Sequence, residues 1–298
     1  MFPFAVPALV SLHAGEPDPT GWLWSDWRLD PLVAVGLLVA GAAYVIATGA
    51  RNRDADGRPL RPVTAGQRAS FFAGLLSILL AMGPPLHDWA EHYLLTAHMA
   101  QHMILMLLTP PLLLHGIPGW MYGPLVRNPV TNRIGYWITR APVAYALAAV
   151  VLLAWHVPML YEAALFSDPI HGFEHLTLLL TSVLAWWPIM GSVPEWPRLS
   201  PLQQSLYFFA LTLPGAAVGI YITFSEAGLY RPYDTAPRVF GMSVAVDQQV
   251  AGLLMWVGEG TIFLLLITYT FLRWWGEQEK LERAQRTAVE PGPSARPS

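Results

Sequence analysis

Seven stretches of the chain are apolar over about the 20 residues that a membrane-crossing helix needs: 31–49, 70–86, 97–115, 142–160, 174–191, 204–223 and 248–272. The polar residues fall mainly between these runs, so the pattern predicts an all-α integral membrane protein, a bundle of seven transmembrane helices. Local signals mark several boundaries. Asp30-Pro31 reads as a cap followed by a first-turn proline, and Arg140-Ala141-Pro142 opens the fourth run in a similar way. Gly83-Pro84-Pro85 ends the second run early. Pro110-Pro111 and Pro214 lie inside runs, where neighbouring helices can re-satisfy the freed backbone groups.

Three regions follow from this pattern. Residues 1–30 form an extracytoplasmic or interfacial lead-in. The segment "MFPFAVPALVSLHAGEPDPT" has early prolines and no basic n-region, unlike a cleaved signal peptide. Trp22, Trp24 and Trp27 suit an interface belt. Residues 31–272 form the transmembrane domain. Residues 273–298, ending "AVEPGPSARPS", read as a cytoplasmic, disordered tail.

Composition sharpens the class. Of 298 residues, 54% are hydrophobic and 12% charged, half the charged share of about 25% in soluble domains. Charge placement then orients the bundle. Arg51, Arg53, Arg58, Arg61 and Arg68 follow the first run, Arg127, Arg133 and Arg140 the third, and Arg198 the fifth. Arg273, Lys280, Arg283, Arg286 and Arg296 follow the last. Arg28, Arg231 and Arg238 fall on the other side. The positive-inside rule therefore predicts an outer N-terminus and a cytoplasmic C-terminus. The basic residues form no pooled patch, which argues against nucleic acid as a partner. No cysteine is present, which excludes disulfides, iron–sulfur clusters and thiolate metal sites and leaves imidazole, carboxylate and thioether as metal ligands.

With that orientation, His87, His92, His98, His102, His156, His171 and His175 gather at the outer face. "HMAQH" and "HGFEH" each place two imidazoles one helical turn apart on one face. One HxxxH is a common chance pattern. Two at the same depth on inward-running helices, with His156 near, supply enough nitrogens for a metal or cofactor. Ionisable groups are costly in membrane spans and mark function. His87 and His92, in the short outer loop, are possible additional ligands. Ligating histidines need partners for their other ring nitrogen; Asp88, Glu91, Gln101, Glu174, Asp247, Gln248 and Gln249 are candidates, with Asp247 also placed to cap a helix. Met99, Met103, Met106 and Met242 are thioethers suited to Cu(I).

The segments "AHMAQHMILMLLTPPLLLHGIP", "AWHVPMLYEAAL", "HGFEHLTLLLTSVLAWWPI" and "DQQVAGLLMWVGEG" resemble the polytopic CtaG family of cytochrome c oxidase assembly factors. The likeness runs over about 70–272. It implies seven spans in the bacterial plasma membrane and a role in maturing haem–copper oxidases, with copper handled at the outer face. The motif histidines carry over as His98, His102, His156, His171 and His175, with Gln101, Glu174, Asp247 and Gln248 beside them. The partners implied are the lipid bilayer and oxidase subunits or other copper chaperones. An assembly factor that hands over copper is not an enzyme. Two other readings fit the residues. One is a zinc-dependent membrane hydrolase with Glu174 or Asp247 as base, although no HExxH is present. The other is a haem b protein with axial histidines from the two pairs.

Overall fold

Asp30 starts the first helix as its sequence predicts: its side chain accepts the Leu32 amide at 2.6 Å, with Pro31 at the first helical position. The computed structural model describes residues 29–289 apart from 55, 57 and 58. These residues are mainly helical, with no β-strand among those described and one isolated bridge, Arg53 to Pro59. Most of the lead-in, its tryptophans included, and the last residues of the tail lie outside them.

Helix α1 is Pro31–Thr48. It touches the bundle mainly through Tyr44, which stacks on Phe71 at 3.9 Å and donates to the Gly116 carbonyl at 2.9 Å. Helix α2, Ala65–Met82, begins a turn before the apolar run because Thr64 and Gln67 form a reciprocal capping box. Gly83, Pro84 and Pro85 then break it, as expected. The chain does not become a loop there. It resumes as α3, Leu86–His92, so His87 and His92 sit on a short packed helix.

Helix α4 spans Leu95–Gly116 with a π-helical section at Ile104–Leu108. Helices α5, Pro129–Ile138, and α6, Ala141–Trp155, meet at a 72° bend. Helix α7, Pro158–Leu165, leads into α8, Asp168–Met190, and α9, Pro201–Phe224. A short α10, Arg231–Thr235, precedes the last helix, α11. It runs as Val244–Leu253, a π-helical section at Leu254–Gly258, and Glu259–Val289.

Six helices are long and apolar enough to cross a membrane, and the bent pair α5–α6 makes a seventh if it counts as one span. The fourth apolar run therefore does not form the single helix expected over 142–160. Helix α6 stops at Trp155 because Pro158 disfavours helical geometry in Val157, which leaves His156 in the turn. The tail is also corrected. The last helix continues to Val289, so 273–289 are helical rather than disordered. Arg273–Glu277, Glu279–Arg283 and Glu282–Arg286 pair one turn apart along that extension.

The inner layer is made where α4, α6, α8, α9 and α11 meet. Met99, Leu152, Leu178, Val218, Ile222 and Met255 are all buried there with Tyr161, Tyr230 and Tyr233. Helices α9 and α11 come close enough that a Cβ at Gly252 would lie 2.2 Å from Thr223 Oγ1 and 2.6 Å from the Gly219 carbonyl. This layer sits against the buried histidines and fixes the helices that carry them.

Candidate metal centre

His98 and His102 lie in the first turns of α4, and His171 and His175 in the first turns of α8. Both HxxxH pairs therefore point into the bundle at the same end. His98, His102, Glu174 and His175 each offer one ligand atom, and these atoms all lie within 4.8 Å of one another. All four are buried: His98 and Glu174 expose none of their surface, His102 1% and His175 4%. Lipid-like surroundings make such a concentration of unspent polar groups costly.

Hydrogen bonding fixes which ring nitrogens face inward. The Tyr233 hydroxyl has one proton, and the Ala90 carbonyl 2.5 Å away can only accept it. The Tyr233 oxygen must therefore accept from His98 Nδ1, 3.0 Å away, so the proton of His98 is on Nδ1 and its Nε2 is a bare lone pair. His156 Nδ1 likewise donates to the Leu152 carbonyl at 2.8 Å, and His171 Nδ1 donates to Glu91 Oε1 at 2.8 Å. Their Nε2 atoms are buried without a hydrogen-bond partner. Three histidines are thus held from outside with their lone pairs turned inward, the arrangement ligating imidazoles require.

The interior of the cluster lacks donors to match. His98 Nε2 and His102 Nε2 are 2.9 Å apart. Since the first is bare, the second carries the proton between them, and His102 Nδ1 is left unpartnered. Both nitrogens of His175 and both oxygens of Glu174 are also buried and unpartnered. Glu174 Oε1 lies 3.6 Å from His102 Nε2 and 3.9 Å from His98 Nε2. Nitrogens 2.9 Å apart subtend about 90° at an ion about 2.05 Å from each, so small adjustments would open the pair to coordination. Glu174, expected behind the histidines, stands among them.

The other expected residues take different places. His171 and His156 border the central group, with ring centroids 4.4 Å from His175 and 5.5 Å from His102 respectively. The His87 ring stacks 5.6 Å from that of His171, but its nitrogens are engaged with Gln101 and Glu91. Gln101 Nε2 donates both to the Ala81 carbonyl at 2.7 Å and to His87 Nδ1 at 3.0 Å. The proton of His87 is therefore on Nε2, which points at Glu91 Oε1 3.5 Å away. His87 and Gln101 brace Glu91, and Glu91 in turn holds His171. His92 Nδ1 lies 3.1 Å from the Asp88 carbonyl of its own helix.

Asp247 and Gln248 have no hydrogen bond to a cluster histidine among the described residues. Ser243 caps α11, while Asp247 reaches across to accept the Leu95 and Thr96 amides, each at 2.9 Å, at the start of α4. Gln248 binds the carbonyls of Ile222, Ser225 and Glu226 and the amide of Leu229, closing the loop after α9. Both position the site without facing it.

Sequence reasoning missed the tyrosines. Tyr161, Tyr230 and Tyr233 form a buried wall beside His98, whose ring centroid is 5.0 Å from that of Tyr161. Burial pushes the phenols of Tyr161 and Tyr233 well above their usual range, which keeps both protonated as hydrogen-bond donors. Tyr230 and Tyr233 fall in "LYRPY", between α9 and α11, a segment that reads as loop, and Tyr161 falls in "MLYEAAL".

The chain matches known proteins along most of its length. Residues 42–277 match the family described as cytochrome c oxidase caa3 assembly factor (Caa3_CtaG). An uncharacterised protein of Mycobacterium leprae, ML1998, is 22% identical over 284 residues, covering 87% of this chain and 41% of its own. An uncharacterised protein of Mycobacterium bovis, Mb0105, is 21% identical over 282 residues, covering 89% of this chain and 42% of its own. The chain thus spans about two fifths of the curated relatives it matches. No solved structure matches it.

Proposed function

The chain belongs to the family of cytochrome c oxidase caa3 assembly factors, and on that premise we propose that it carries copper, binding the ion at its buried histidine centre and passing it toward the oxidase. His98, His102 and His175 supply imidazole nitrogen and Glu174 a carboxylate, with His171 and His156 within a ring's length to take part in arrival or release. The observation that carries this reading is the inward-turned set of Nε2 lone pairs on His98, His156 and His171, held in place by Tyr233, Leu152 and Glu91, with those of His156 and His171 and both Glu174 oxygens buried and unpartnered.

Copper is cargo here, and the donor set suits cargo. Imidazole and carboxylate hold copper less firmly than thiolate, and the chain has no cysteine. One carboxylate balances the single charge of Cu(I), which limits the cost of placing the ion among apolar helices. In this reading α5–α6 counts as one span. Seven spans, with most basic residues after the odd-numbered ones, support an outer N-terminus and a centre at the outer face of the bacterial plasma membrane. Oxidase subunits or other copper chaperones are the partners.

The test pairs two readouts in a strain lacking the gene. Wild type should restore both copper content and activity of the membrane's haem–copper oxidase. The His98→Ala/His102→Ala variant, present at equal level, should restore neither. An oxidase with full copper in the variant strain would refute the reading.

A further inference from the structure

A third acid, besides Glu174 and Asp247, is buried in the bundle away from the histidines. Glu259 follows the π-helical section of α11 and exposes 6% of its surface. It has no hydrogen bond or ion pair among the described residues, and it lines a cavity of about 40 Å³ with Met106, Ser182, Tyr145 and Pro214. About one water needs 10–15 Å³ on this measure, so the space exceeds a packing defect. Room for the carboxylate is built in: a Cβ at Gly215 would fall 1.8 Å from Glu259 Oε2.

The lining is one-sided chemically. It offers a carboxylate, a thioether, hydroxyl oxygens and no lysine, arginine or histidine. Pro214 lies inside α9 and leaves the carbonyl of Ala210 without its usual helical donor. A carboxylate and a thioether without a cationic side chain favour a cation over an anion. Its single carboxylate in apolar surroundings favours one positive charge, since a divalent ion would leave the site charged. Met106 adds a soft ligand, which selects Cu(I) among singly charged metals.

Position links the cavity to the metal centre. Met106 lies four residues beyond His102 on α4, about 6 Å deeper at 1.5 Å per residue. It sits in the π-helical section of α4, a distortion frequent at functional sites. Its carbonyl accepts from Trp186 Nε1 at 3.0 Å, which ties this section to α8. Leu152 also lines the cavity, while its carbonyl holds His156.

We propose that the cavity around Glu259 and Met106 is a second binding station for a singly charged soft metal ion, one turn deeper than the histidine centre. This rests on the copper-carrying reading above and extends it from one site to two in series. The test is anaerobic Cu(I) titration of the full-length protein in detergent against a chromophoric chelator, with Zn(II) in parallel. Wild type should bind two equivalents of Cu(I), and Glu259→Gln one. Met106→Leu, which conserves volume, should weaken the second equivalent at least tenfold. Zn(II) should not fill the second station. Glu259→Gln and Met106→Leu that both bind Cu(I) as wild type does would overturn the station, as would a second equivalent of Zn(II). Failure of the copper-carrying reading is separate: it would appear as undiminished binding by the His98→Ala/His102→Ala variant.

Discussion

Replacing Tyr233 with phenylalanine removes one oxygen and should be felt mainly by copper. That oxygen accepts from His98 Nδ1 at 3.0 Å, donates to the Ala90 carbonyl at 2.5 Å and lies 3.4 Å from the Tyr161 hydroxyl. The variant strands the His98 N–H and an end carbonyl of α3, and a buried unsatisfied group costs about 1–3 kcal/mol. His98 can escape part of that cost by moving its proton to Nε2. The proton would then stand where the metal should bind. Loss of such an outer partner typically lowers metal affinity about 10–100-fold. Chelator-competition titration with Cu(I) measures this directly. Tyr44→Phe is the matched control, because it also removes a buried hydroxyl, here donating to the Gly116 carbonyl at 2.9 Å at the other end of α4. It should lower the melting temperature without changing copper affinity. Wild-type affinity in Tyr233→Phe, or equal losses in both variants, would refute the role assigned to Tyr233.

Three further outcomes follow from the packing. Glu174→Gln removes a carboxylate ligand 3.6 Å from His102 Nε2 and should weaken Cu(I) binding at least about tenfold in the same titration. Asp247→Ala strands the Leu95 and Thr96 amides at the start of α4 and should cost about 1–2 kcal/mol in thermal or denaturant unfolding. Gly252→Ala drives a methyl group to 2.2 Å from Thr223 Oγ1, and the same unfolding assay should show a loss of about 1–3 kcal/mol.

What the sequence disclosed depended on how local its signal was. Apolar runs, the Asp30 cap and the two HxxxH pairs are properties of a few adjacent residues, and they predicted helices and paired histidines well. The break of α6 at His156 depends on one proline against a long apolar run, and summed hydropathy hides it. The segment holding His87 and His92 is polar and short, so it reads as loop, yet packing makes it a helix. Tyr233 touches His98 across 135 residues, and Asp247 reaches Leu95 across 152. No periodicity encodes such contacts. Glu174 was visible as a residue, but its turn toward His98 and His102 is decided by where α8 lies against α4. The assignment of histidine protons needs every acceptor around them, which only the folded chain supplies.

The most direct test of the metal centre is X-ray absorption at the copper edge on protein loaded with one equivalent of Cu(I). A first shell of nitrogen and oxygen with imidazole scattering, lost in His98→Ala/His102→Ala, is the predicted result. An unchanged spectrum in that variant, or wild-type protein that retains no copper, would contradict the centre.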